Sequence, residues 1–208
     1  MFVESETYRQ AIRLIDEANG QDPVLERDEA GAERPRGLLY GLRMSDRLLR
    51  FEPGASEVVR LAARAQHIRR WLIPRDRYPK DRAGYHRWRT ELYGFHGREA
   101  GEILRRVGYD EATIGRVAEL LAKKRLKADP EAQLLEDVIC LVFLEHYYTP
   151  FIAEHEDEKV VTILRRTWKK MSERGRGEAV TLADRLDGRA KGLILKALGK
   201  DETTDEHR

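Results

Sequence analysis

The chain has 208 residues, 41% of them hydrophobic and 37% charged, with a formal net charge of +2. That length and apolar content permit a buried core and make one domain the default, while the charge says that the outer faces are heavily ionised. A balance so near zero gives no global field to draw the protein onto nucleic acid or an anionic membrane, although arginine far outnumbers lysine and leaves a local anion-binding patch open.

The periodicity is helical almost throughout. A first helix is expected from about Glu4 to Asn19, with Tyr8, Ile12 and Ile15 on one face, stopped by Asn19-Gly20. Asp22-Pro23 opens a charged loop to about Arg34, the best candidate for a mobile segment. A second helix follows Pro35, a residue suited to a first helical turn, and ends at Glu52-Pro53-Gly54. A third runs from Ala55 or Ser56 through Trp71. Between Pro74 and Pro79 the chain is irregular. Tyr85–Tyr93 reads as a short helix and His96 opens another, ending at Val107-Gly108. Asp110 is placed to cap the next, through about Lys124. Asp129-Pro130 starts a long helix to about Tyr148, Lys159–Met171 forms another, and one or two helices close the fold near Leu198. No period-2 run with turn signals predicts a strand. The expectation is an all-α, single-domain helical bundle over residues 1–199, with a disordered tail at 200–208.

The single Cys140 lies in the apolar run Val138–Leu144, where an inert buried thiol and a reducing compartment are expected. No signal core and no run near the roughly 20 apolar residues of a membrane span is present, so the expected home is cytoplasmic, with no membrane partner. Phosphate-binding glycine loops, dinucleotide fingerprints, H-E-x-x-H, cysteine pairs and a nucleophile elbow are all absent, which removes those enzyme classes.

The remaining chemistry rests on histidines and one acidic pair. His67 borders the apolar face of the third helix, His86 lies in Tyr85-His86-Arg87-Trp88-Arg89, and His96 stands in Phe95-His96-Gly97-Arg98-Glu99. Glu136 and Asp137 enter an apolar run, and a carboxylate so placed needs a cation, a metal or hydrogen-bond donors. Three imidazoles and Asp137 suit a divalent transition metal with open positions, which would polarise a phosphoryl oxygen and acidify a bound water. The plainer alternative is that each histidine caps or bonds a carbonyl and Asp137 pairs with Arg69 or Arg70. Basic residues gather near these positions in sequence, among them Arg69, Arg70, Arg87, Arg89, Lys123 and Lys124. Of these, Arg70, Arg87 and Lys124 are the candidates for binding a substrate phosphate, since guanidinium forks match phosphate oxygens.

The stretches Ala62-Ala63-Arg64-Ala65-Gln66-His67-Ile68-Arg69-Arg70-Trp71, Tyr85-His86-Arg87-Trp88-Arg89 and Leu135-Glu136-Asp137-Val138-Ile139-Cys140-Leu141, with Asp22-Pro23 and Thr167-Trp168-Lys169-Lys170-Met171, resemble the domain-of-unknown-function family numbered four-two-zero-two. More distantly, the order of helices and histidines is similar to the HD superfamily of helical metal-dependent phosphohydrolases. That resemblance implies a divergent HD-type fold, with His67 and His86 as its histidine ligands, Asp137 as its last aspartate and His96 as an extra ligand. Glu136 would steady a ligand or accept a proton. The implied function is a metal-dependent phosphohydrolase acting on a nucleotide or other small phosphorylated compound. The sequence departs from the pattern at Arg87, which stands where the His-Asp pair has its aspartate. The alternative reading is a non-enzymatic helical protein that binds a nucleotide or RNA.

Overall fold

The computed structural model describes residues 3–186 and 188–199. These residues are all-α apart from one small hairpin, and the expected tail at 200–208 lies outside them. The chain divides into two compact units, Met1–Leu135 and Glu136–Arg208. Among the described residues no helix is long and apolar enough to cross a membrane.

The first unit opens with α1 (Glu6–Asn19), capped by Ser5, whose hydroxyl accepts from the Tyr8 amide at 3.0 Å. Two three-residue strands follow, β1 (Leu25–Arg27) and β2 (Glu33–Pro35), antiparallel with Leu25 opposite Pro35. This hairpin replaces the expected loop. Its strands have no alternating apolar face to betray them; polar turn chemistry sets them instead. Asp28 accepts from the amides of Ala30 and Ala32, and Gly31 takes the positive φ of 83° that the turn requires. Buried Asp22 closes the base, accepting from the Val24 amide at 2.9 Å and the Gly37 amide at 3.0 Å.

Helix α2 (Arg36–Phe51) starts directly after Pro35, as expected. Helix α3 (Glu57–Arg64) is capped by Ser56 and stops seven residues short of Trp71, giving way to tight turns and a 3-10 turn at Arg70–Leu72. The predicted pair of helices on either side of Gly94 is one continuous helix, α4 (Arg82–Arg106). Its cap Asp81 accepts from Gly84 at 2.6 Å, and a Cβ on Gly84 would stand 2.2 Å from the Pro79 carbonyl oxygen, so only glycine fits there. Asp110 caps α5 (Glu111–Leu121) through the Thr113 amide at 2.7 Å. Helix α4 packs along α5, while α1, α2 and α3 pack on one another and α3 reaches α5. Fully buried Ile15, Met44, Val59, Leu61, Ile68 and Leu104 belong to this core.

Helix α6 (Pro130–Val142) crosses the division between the units and runs through a π turn, Phe143–Tyr147, into α7 (Tyr148–Ala153). The second unit continues with α8 (Asp157–Lys170), α9 (Glu173–Ala183) and α10 (Gly188–Leu198), with α10 packed on α8 and α9. The buried Tyr148 hydroxyl donates to the Ala190 carbonyl at 2.9 Å, and Cys140 is buried with its thiol free of any disulfide.

Candidate anion-binding niche

The segment after α3 is where backbone, charge and histidine converge. The Ala65–Arg70 turn cannot continue the helix because two side chains claim its backbone. Asn19, at the end of α1 and buried, accepts from the Arg69 amide through Oδ1 at 3.2 Å. His96 on α4, 2% exposed, meets the Ile68 carbonyl with Nδ1 at 2.8 Å, and since a carbonyl only accepts, Nδ1 carries the proton. Arg69 is thereby held in the left-handed region at φ 49°, and its guanidinium pairs with Glu99 of α4 at 2.9 Å. A non-glycine residue in that conformation persists only where its surroundings dictate it. Together these contacts fix His67 and Arg70 on either side of the bend.

His67 stacks on Tyr40 of α2 with centroids 4.0 Å apart and lies 6.0 Å from the His96 ring. Burial holds His67 well below the ordinary imidazole range, and the charges of Arg70, His96, Lys123 and Arg89 push in the same direction. Burial likewise lowers His96 to about 4, against the hydrogen bond to Ile68 and with help from Arg70. Both rings are therefore neutral at pH 7. With Nδ1 protonated, His96 presents the Nε2 lone pair, which is buried and without a hydrogen-bond partner.

Arg70 is the unusual member. Its guanidinium lies 4.7 Å over the Trp88 ring, and burial pulls it below its ordinary value. Among the described residues no carboxylate pairs with it. Arg89 is placed similarly. It donates to the Tyr85 hydroxyl at 3.3 Å and to the Tyr93 hydroxyl, and no carboxylate among the described residues pairs with it either. Two cations held by aromatic rings and phenols beside neutral imidazoles form a positive niche.

Of the residues singled out from the sequence, the structure brings together His67, His96 and Arg70. It does not bring in His86. That residue precedes His96 by ten positions on unbroken α4, about 15 Å along the axis, and is exposed, with the Arg82 Nε at 3.5 Å from its Nε2. Arg87 is exposed nine positions before His96, on the opposite side of the helix. Lys124 is exposed and lines a shallow groove between α4 and α5. In the second unit, both Asp137 oxygens are engaged by Ser172: Oδ1 accepts from its amide at 2.8 Å and Oδ2 from its hydroxyl at 2.5 Å. Glu136 lies 3.6 Å from Lys170. The residues that sequence reasoning left out of the site are Arg89 and Tyr40, with Asn19 and Glu99 fixing the turn from outside it. For Arg89 the signal was present, because a spacing of seven puts it on the His96 face of a helix.

A transition metal needs several donors within about 2.0–2.3 Å of one point. Of the four proposed ligands, His86 is excluded from His96 by the length of α4, and Asp137 is occupied by Ser172. His67 and His96 are left beside two cations that repel a third. Among the described residues no group of three or more His, Cys, Asp or Glu is placed to hold a metal ion. Within the first unit, His67 and His96 thus lie 6.0 Å apart between ring centroids, with His86 about 15 Å from His96 along α4.

The fold is thus all-α, and its first unit brings half-buried Arg70, Arg89 and His67 together with buried His96. The family model described as Domain of unknown function (DUF4202) matches residues 9–194, and the chain belongs to that family. No curated protein and no solved structure matches the chain.

Proposed function

We propose that the protein binds a small phosphorylated compound in the niche formed by Arg70, Arg89, His67 and His96. The observation that carries this reading is Arg70, a half-buried guanidinium on an aromatic face with no carboxylate partner among the described residues. A partly desolvated arginine without a counter-ion is unfavourable, and a bound oxyanion offsets that with charge-assisted, bidentate hydrogen bonds. Two neighbouring guanidiniums favour a dianionic phosphoryl group over a monoanion. The neutral rings add a hydrogen-bond donor or acceptor without further charge, and the His96 Nε2 lone pair suits a ligand hydroxyl or a singly protonated phosphate oxygen.

This reading is the binding alternative, and the metal-dependent hydrolysis implied by the HD resemblance is not part of it. Titration calorimetry with inorganic phosphate on the full chain tests it. Saturable binding should weaken at least tenfold in Arg70→Ala, and Arg70→Lys should restore only part, since the point charge remains and the fork is lost. Equal affinity in parent and Arg70→Ala, or no binding at all, would refute the niche.

A further inference from the structure

The chain is close to neutral, yet its charges are not matched everywhere. Several exposed arginines of the first unit pair with acids: Arg9 with Glu6, Arg34 with Asp28, Arg50 with Asp46 and Arg105 with Glu111, all at 2.6–2.7 Å. From Arg70 to Arg89 the pattern changes. This stretch holds seven Arg and Lys residues against two acids, Asp76 and Asp81. None of the seven cations has a carboxylate partner among the described residues, and Asp81 is committed to the Gly84 amide. Helix α4 begins with Arg82 and has no acidic residue in its first turn, so the charge there opposes the helix dipole. Helix stability does not account for these cations.

They share one surface because the segment before α4 folds back on its first turns. The Trp88 indole donates to the Ile73 carbonyl at 2.8 Å, and Arg75 donates to the Tyr78 and Pro79 carbonyls at 2.9 and 2.7 Å. From there cations and rings follow one another in contact. The guanidiniums of Arg70 and Arg75 lie 4.7 and 5.9 Å from the Trp88 ring, which lies 5.9 Å from that of Tyr85. Arg89 in turn lies 5.7 Å from the Tyr85 ring and 5.3 Å from that of Tyr93. Arg82, Tyr85, Arg89 and Tyr93 recur at spacings of three and four and so lie along one face of α4. That face runs about 16 Å along the axis, longer than a single phosphoryl group requires. Arg82 is exposed, as is Lys80 two residues before it, and Tyr85 is 41% exposed, a large ring left in water among cations.

We propose that this face binds single-stranded nucleic acid, with backbone phosphates on Lys80, Arg82 and Arg89 and a base stacked on Tyr85. Cations alone would suit any polyanion. The exposed ring set among them selects the kind: an unpaired base has a flat face to lay on it, whereas a duplex keeps its bases stacked on each other and an acidic peptide has none. The inference goes beyond the niche reading, since its ligand is a polymer lying on exposed groups rather than a small compound held beside the histidines.

The test is fluorescence anisotropy of a labelled oligouridylate with the full chain over a range of salt concentrations. In the parent, log affinity should fall against log salt with a slope of about −3, as expected for about four phosphate contacts on a single strand. Lys80→Gln with Arg82→Gln should weaken binding about tenfold and make the slope shallower by about 1.4. Tyr85→Leu should weaken binding about tenfold with the slope unchanged. The Tyr85 ring resonances of the parent should shift on binding, a readout that stands if that variant does not fold. Neither Lys80 nor Arg82 lines the niche, so these outcomes are read independently of phosphate binding there. Absent or salt-insensitive binding, unmoved Tyr85 resonances, indifference to the Lys80 and Arg82 substitutions, or a base-paired hairpin or polyglutamate binding as tightly as oligouridylate overturns the proposal.

Discussion

His96 donates through Nδ1 to the Ile68 carbonyl at 2.8 Å, and that one contact fixes both the tautomer of a buried imidazole and the end of the turn that carries Arg70. Burial lowers His96 from 6.5 to about 4, and His67 shifts in the same direction. Between these values the unfolded chain takes up protons that the folded chain refuses, so stability rises with pH through that window and is fully present above about 6.5. His96 alone contributes about 3 kcal/mol of this dependence. Urea unfolding midpoints at pH 4.5, 5.5 and 7 should fall on acidification. His96→Gln, which keeps a donor but does not titrate, should show a shallower fall. Identical pH slopes in the two proteins would contradict the assignment.

Asn19 holds the left-handed Arg69 from a different helix. Asn19→Ala leaves the Arg69 amide without its acceptor and should cost about 1–2 kcal/mol in urea unfolding. Because the same turn places Arg70, phosphate affinity should fall as well, although Asn19 does not line the niche. A stability loss with undiminished phosphate binding would show that the turn does not position Arg70.

How much of this was legible follows from the range of each contact. Local signals sufficed where the deciding atoms are close in sequence: the Asp110 cap, Pro35 at the head of α2, and the polar, capped ends of most helices. Tyr85–Tyr93 and His96 to Val107 read as two helices, although Gly97 stands inside the second. In the fold, a Cβ on Gly97 would stand 3.2 Å from that of Ala118, so that glycine serves close approach to α5 rather than a turn. The early end of α3 depends on Asn19 and His96, fifty residues back and twenty-eight ahead of the atoms they bond. His67, Arg70 and His96, singled out from their type and setting, do lie near one another in the fold. His86 and Arg87 were chosen for the same reasons, and the uninterrupted length of α4 separates them from the niche. For Asp137 the need of a partner was evident, but the partner, Ser172, lies thirty-five residues later.

Asp137 and Gly175 are coupled in the second unit. A Cβ on Gly175 would come 2.6 Å from Asp137 Oδ1, while that carboxylate accepts from the Ser172 amide and hydroxyl at the head of α9. Gly175→Ala should destabilise by about 1–3 kcal/mol through overpacking, and Asp137→Ala by about 1–3 kcal/mol through the lost acceptor. The pair should not add. With the carboxylate gone the new methyl has room, so Gly175→Ala should cost clearly less in the Asp137→Ala background. Additive losses in urea unfolding would mean that the carboxylate does not set the requirement for glycine.

The metal expectation separates the binding and hydrolytic readings most sharply. A divalent ion beside His67 and His96 would meet the Arg70 and Arg89 guanidiniums, with no carboxylate among the described residues pairing with either of them. Protein purified without chelator should therefore carry less than stoichiometric zinc, manganese or iron by elemental analysis, and added metal should leave Tm unchanged, because a ligand that binds only the folded state raises it. Phosphate at millimolar concentration should raise Tm in the parent and not in Arg70→Ala. Stoichiometric metal lost in both His67→Ala and His96→Ala would reverse this ordering. It would place a metal between the two imidazoles despite the neighbouring cations and return the protein to the hydrolytic reading.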